Sequence, residues 1–84
     1  MNKIITLDKL NINDKAKVIN INSKCNLKRR FEDLGIVKDS IIKCEFKSPF
    51  KDPTAYLIKG CIIAIRENDS KYIKVNKIWL RNLL

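Results

Sequence analysis

Eighty-four residues suffice for one domain with a single modest core. A composition 45% hydrophobic and 32% charged excludes a disordered chain. The net charge of +9 is spread along the chain, with nine basic and five acidic groups in residues 1–40 and nine and four in residues 41–84, which excludes a basic tail or arm.

Met1 to Thr6 carries one lysine and an apolar run of only two residues, Ile4-Ile5, before polarity returns, so neither a secretory leader nor a membrane span is expected, and the cytosol is the expected compartment. Thr6-Leu7-Asp8-Lys9-Leu10 starts with a capping hydroxyl and an early acid, which predicts one helical turn with Leu7 and Leu10 on its inner side. Asn11 to Asp14 reads as a turn and Lys15 to Asn22 as a strand. In that strand Ala16 and Val18 point one way and Ile19 and Ile21 the other. Either both faces are partly covered or a bulge re-aims the chain near Ile19.

Asn26 to Leu34 places Leu27, Phe31 and Leu34 on one helical stripe. Its charges oppose the helix dipole, Lys28, Arg29 and Arg30 coming early and Glu32 and Asp33 late, so packing must hold it. Gly35 suits the left-handed position that ends such a helix, and Ile36 the apolar contact of a Schellman ending. Ser40 to Lys47 alternates, with Ile42, Cys44 and Phe46 on the predicted inner face. Ser48 to Pro53 contains two prolines and must be a loop. Thr54 to Ile58 and Cys61 to Arg66 form a hairpin about Lys59-Gly60, with Ile63 and Ile65 turned inward. Glu67 to Lys71 reads as a polar turn, and Tyr72 to Val75 as a last strand burying Ile73 and Val75. Asn76 to Leu84 ends in an apolar tail that either seals the open edge of the domain or docks a partner. About five short strands with one helix after the first define a mainly β fold, a small open barrel of the SH3 type, filling residues 1–84.

The chemistry is sparse. The chain has no histidine, so no serine or cysteine has an imidazole base to activate it. Both glycines lie outside any phosphate-cradling loop. Cys25, Cys44 and Cys61 are odd in number and contain no C-x-x-C pair, so a closed zinc site is not expected and the thiols read as small apolar residues. No cofactor and no catalysis are expected. Phe31 and Phe46 are assigned to the core, leaving Phe50, Tyr56, Tyr72 and Trp79, too scattered to form a base-stacking platform.

Taken in order, Leu7 and Leu10, Ala16 and Val18, Arg30-Phe31-x-x-Leu34-Gly35-Ile36, Ile42 and Cys44, Pro49-x-x-Asp52-Pro53, Gly60, Ile63-Ala64-Ile65-Arg66 and Ile73-x-Val75 resemble the FeoA family. Asn13, Asp39 and Lys51 stand where that family usually has glycine, and Ser70 where alanine is common. Asn13 and Asp39 tolerate left-handed geometry; Lys51 fits less easily. The tail from Ile78 to Leu84 goes beyond the family pattern. The resemblance implies a non-enzymatic module that binds the cytosolic part of the ferrous iron transporter FeoB and tunes transport, cytoplasmic or held at the inner face of the membrane by that partner. It implies no iron site. The alternative is a regulatory or nucleic-acid-binding module, because the same barrel forms the C-terminal domain of iron-dependent repressors, although no winged helix precedes it here. Candidate partner contacts are Arg29, Arg30, Phe50, Tyr56, Arg66 and Trp79, and self-association through the tail is an open alternative.

Overall fold

Alternating burial along short strands, punctuated by left-handed turns, gives this chain one curled antiparallel sheet. A computed structural model describes residues 3–50 and 52–78. The strands are β1 (Ile4–Thr6), β2 (Lys15–Ile21), β3 (Ile41–Lys47), β4 (Thr54–Ile58), β5 (Cys61–Ile65) and β6 (Ile73–Ile78), in the order β1-β6-β2-β3-β4-β5. A 3-10 turn (Leu7–Lys9) follows β1, helix α1 (Lys28–Asp33) links β2 to β3, and helix α2 (Glu67–Ser70) links β5 to β6. This is the expected mainly β, SH3-like architecture, with six strands rather than five.

The additional strand is β1. Ile4, Ile5 and Thr6 pair with Asn76, Val75 and Lys74 of β6. Three residues are too few to announce a strand by alternation, and only the long-range pairing defines it. Thr6 is extended and makes no side-chain capping bond, so the capping role expected of its hydroxyl is not realised. Leu7 and Leu10 are nonetheless fully buried.

The core joins Leu7, Leu10, Ala16, Val18 and Ile21 to Phe31, Ile36, Ile42, Cys44, Tyr56, Ile58, Ile65, Ile73 and Val75. Two bulges decide what reaches it. In β2 the register with β6 shifts between Val18 and Asn20, so Ile19 is the extra residue and Ile21 returns to the inner face. In β3 the register with β4 shifts between Cys44 and Phe46, so Glu45 is extra and Phe46 turns outward. Phe46 is 58% exposed, which corrects its assignment to the core. Tyr56 is the converse correction. It pairs with Cys44 and Ile63 on the inner face and is 1% exposed, so it cannot serve as a partner contact.

Helix α1 is shorter than its apolar stripe suggested. It buries Phe31 alone, while Leu27 and Leu34 at its margins stay exposed. Its end is a complete Schellman motif: Ile36 N–H donates to Phe31 O and Gly35 N–H to Glu32 O, both at 3.0 Å. Gly35, Asn13 and Asp39 all have positive φ, as expected for those turns. Glu67 to Ser70 is helical rather than a simple turn, and Asp52 Oδ1 accepts the Glu67 N–H at 2.8 Å. Asp52 thereby satisfies one of the free donors at the start of α2. Lys51 and residues 79–84 lie outside the described residues, and with them the expectations for the Lys51 turn, Trp79 and the apolar tail.

Candidate functional site

Surface chemistry on this barrel is set by which side chains the core leaves out. On α1, Arg29 and Arg30 are exposed, and Lys28 pairs with Glu32 at 3.1 Å. No ion pair forms between Arg29 and Asp33 among the described residues. Leu27, Leu34 and Val37 are 37%, 43% and 41% exposed. An apolar margin thus runs beside two free guanidinium groups on a short helix pinned at its C-terminal end by Gly35 and Ile36. Guanidinium groups beside apolar side chains are typical of protein contact surfaces.

Phe50 is 91% exposed, at the tip of the loop between β3 and β4. Arg66 is exposed at the end of β5 and makes no ion pair among the described residues. The Asp52 carboxylate nearby accepts from the Glu67 backbone instead. Arg29, Arg30, Phe50 and Arg66 therefore all reach the surface, the first two together on α1 and Arg66 at the end of β5 that borders the loop carrying Phe50. Tyr56 is internal.

The outer face of the β3-β4-β5 meander is a feature that alternation alone concealed. Phe46 sits opposite Ala55, which sits opposite Ala64, and in the next row Leu57 lies between Lys43 and Ile62. Ile62 is 56% exposed. Ala55 is buried yet outside the core cluster, as expected for a small residue flanked by Phe46 on the outer face. The signal that would have found this face is a bulge at Glu45, which the sequence does not mark.

Two clefts lie among the described residues. One, of about 160 Å³, is lined by Asp8, Lys47, Thr54, Tyr56, Glu67 and Ser70. Here the Tyr56 hydroxyl donates to Leu7 O at 3.4 Å, and burial pushes its phenol up to about 12. Asp8 Oδ1 is shielded from solvent without a hydrogen-bond partner. The other cleft, of about 400 Å³, runs beside β1 and is lined by Lys3, Ile5, Thr6, Lys9, Asn11 and Lys77. Lys77 bridges to Asp14 at 3.1 Å.

Neither cleft assembles a nucleophile with a base. The buried Cys44 thiol is pushed up by desolvation and stays protonated at neutral pH, which makes it a poor nucleophile. Among the described residues no three Cys, Asp or Glu side chains converge to hold a metal ion. No helix there is long and apolar enough to cross a membrane.

The described residues thus define a small protein of the SH3-like barrel class. The FeoA domain family matches residues 5–77, and this chain belongs to that family, whose role is accessory to ferrous iron transport. It superposes on a FeoA-like protein from Clostridium acetobutylicum with 34% identity and a TM-score of 0.81, over 95% of this chain and 92% of that one. A zinc complex of FeoA from Stenotrophomonas maltophilia, described as a prokaryotic SH3 domain protein, shares the fold at 24% identity and a TM-score of 0.76, covering 84% and 88% of the two chains. A manganese-dependent transcriptional repressor has the same fold over 93% of this chain and 44% of its own length, at 18% identity and a TM-score of 0.79. No curated protein matches the sequence closely enough to add to this.

Proposed function

We propose that this protein is a non-enzymatic accessory module of ferrous iron uptake that docks on the cytosolic portion of an FeoB-type transporter and tunes its transport, acting in the cytoplasm at the inner face of the membrane. The observation that carries the reading is the α1 shoulder. Arg29 and Arg30 stand exposed beside Leu27, Leu34 and Val37, and none of these five residues belongs to the core that holds the barrel together. Family membership supplies the pathway, and the relative from Stenotrophomonas maltophilia is itself described as a candidate activating factor of ferrous iron transport. The net charge of +9 favours an acidic docking face or a site beside anionic lipid.

The test is capture of the purified protein by the immobilised cytosolic region of its cognate transporter, together with ferrous iron uptake in cells lacking the protein. Binding that is lost with Arg29→Glu/Arg30→Glu, and uptake that changes on deletion, are the expected results. No capture together with unchanged uptake overturns the proposal.

A further inference from the structure

We propose that β5 pairs antiparallel with β5 of a second copy of this chain, about a two-fold axis at Ile63, joining two six-stranded sheets into one. The inference is independent of the transporter reading and rests on the edge itself. β5 lies at the end of the strand order, hydrogen-bonded to β4 on one side and to no described strand on the other. Its five residues, Cys61-Ile62-Ile63-Ala64-Ile65, carry no charge in a chain of net charge +9, and Cys61, Ile62 and Ala64 are exposed. Long, uncharged, exposed edges are what soluble proteins ordinarily avoid.

The opposite edge shows the ordinary arrangement. β1 is three residues long, follows Lys3, and borders a cleft lined by Lys3, Lys9 and Lys77. One edge is lined by cations, whereas at the other Lys59 and Arg66 stand only at the ends of β5, where pairing about Ile63 sets them opposite Glu67 and Gly60 of the second copy. A like-charged copy meets least repulsion at this second edge.

The strand is also complementary to itself. Centred on Ile63, antiparallel pairing sets Ile62 against Ala64 of the second copy on the outer face, large against small, and Cys61 against Ile65 on the inner face. No charge meets a charge within the strand. The outer rows Phe46-Ala55-Ala64 and Leu57-Ile62 then continue from one copy into the other, and Ile62 and Ala64 shield each other.

Register-specific crosslinking tests this. In a Cys61→Ser background, Ile62→Cys and Ala64→Cys are made as separate variants, both at exposed outer-face positions that leave the core untouched. Directly opposed strand positions approach disulfide distance, whereas each new cysteine alone faces an isoleucine or an alanine. Mild oxidation of the mixture is expected to give at least about tenfold more crosslinked dimer than either variant by itself. Under reducing conditions the 9.8 kDa chain is expected to double in mass on concentration toward about 1 mM in sedimentation equilibrium. I62K/A64K places lysine against lysine and should stay monomeric, while I62K/A64E places lysine against glutamate and should retain the dimer. A chain that sediments as a monomer throughout, a mixture no better crosslinked than its components, or two charge variants that behave alike would each overturn the proposal. A strand borrowed from a different protein would give the first of these outcomes.

Discussion

Gly35 shows how a single residue can be required for its backbone alone. It holds φ at +103°, and a Cβ placed there would come within 2.8 Å of Lys59 Cδ and 3.1 Å of its Cε. The lysine end is flexible and can move, so backbone strain is the larger obstacle. Gly35→Ala is expected to cost about 1–2 kcal/mol, and nearly the same in a Lys59→Ala background. Denaturant titration of the four proteins checks this, since relief of the cost by Lys59→Ala would put the clash first. Tyr56 makes a second case. Burial raises its phenol to about 12, against about 10 in an unfolded chain. The folded state therefore favours the protonated form, its contribution is complete below pH 10, and it is lost as pH rises through about 12. Alkaline unfolding should be steeper in the native protein than in Tyr56→Phe. At neutral pH the same substitution should cost under about 1 kcal/mol, because the 3.4 Å contact to Leu7 O is long for a hydroxyl bond. These two residues differ in how plainly the sequence declared them. Glycine after a helical stripe has few other uses, whereas an aromatic in an alternating strand gives no sign of which face is the core. Tyr56 departed from expectation for that reason, whereas Phe46 did so because the bulge at Glu45 turned it outward.

Elements that end in special backbone geometry were legible, and elements defined by remote pairing were not. The Lys59-Gly60 hairpin, the Schellman ending of α1 and the left-handed turns at Asn13 and Asp39 each follow from a residue type at a local position. β1 exists only through β6, and the bulge at Glu45 only through β4, so neither is written in a window of neighbouring residues. The α1 shoulder was half legible. Its arginines were visible as charge, but Leu27 and Leu34 read as core because a six-residue helix needs just one deep anchor, Phe31. Two element-scale predictions follow from this division. Lys59 occupies φ +48° and Gly60 φ +81°, the signature of a type I′ turn, in which asparagine is favoured first. Lys59→Asn should raise the melting temperature, by the equivalent of several tenths of a kcal/mol. For the bulge, Phe46→Ser should cost within about 1 kcal/mol while Phe31→Ala costs about 3 kcal/mol or more, a contrast that chemical denaturation measures directly. Equal losses would place Phe46 back inside.

On the scale of the whole molecule, charge is the dominant unspent feature. Three ion pairs join described residues, Lys28 with Glu32, Lys43 with Glu45 and Lys77 with Asp14, which leaves most of the +9 surface facing solvent. A field of this kind acts before contact. It accelerates encounter with an acidic partner and weakens as the screening length falls from about 10 Å at 0.1 M salt to about 3 Å at 1 M. If the proposed docking at the α1 shoulder holds, its apolar contacts act after encounter and govern how long the complex lasts. The two contributions can therefore be separated kinetically against the transporter's cytosolic region. Arg29→Glu/Arg30→Glu lowers the net charge from +9 to +5 and should slow association roughly tenfold with steep salt dependence. Leu27→Ser/Leu34→Ser should leave association nearly unchanged and speed dissociation. Lys15→Glu/Lys17→Glu, on exposed positions of β2 remote in sequence from the shoulder, makes the same change in net charge. If it slows association as much as the arginine pair does, the molecule is steered by its total charge and α1 is not the docking face; if it slows association less, the field is focused where Arg29 and Arg30 stand.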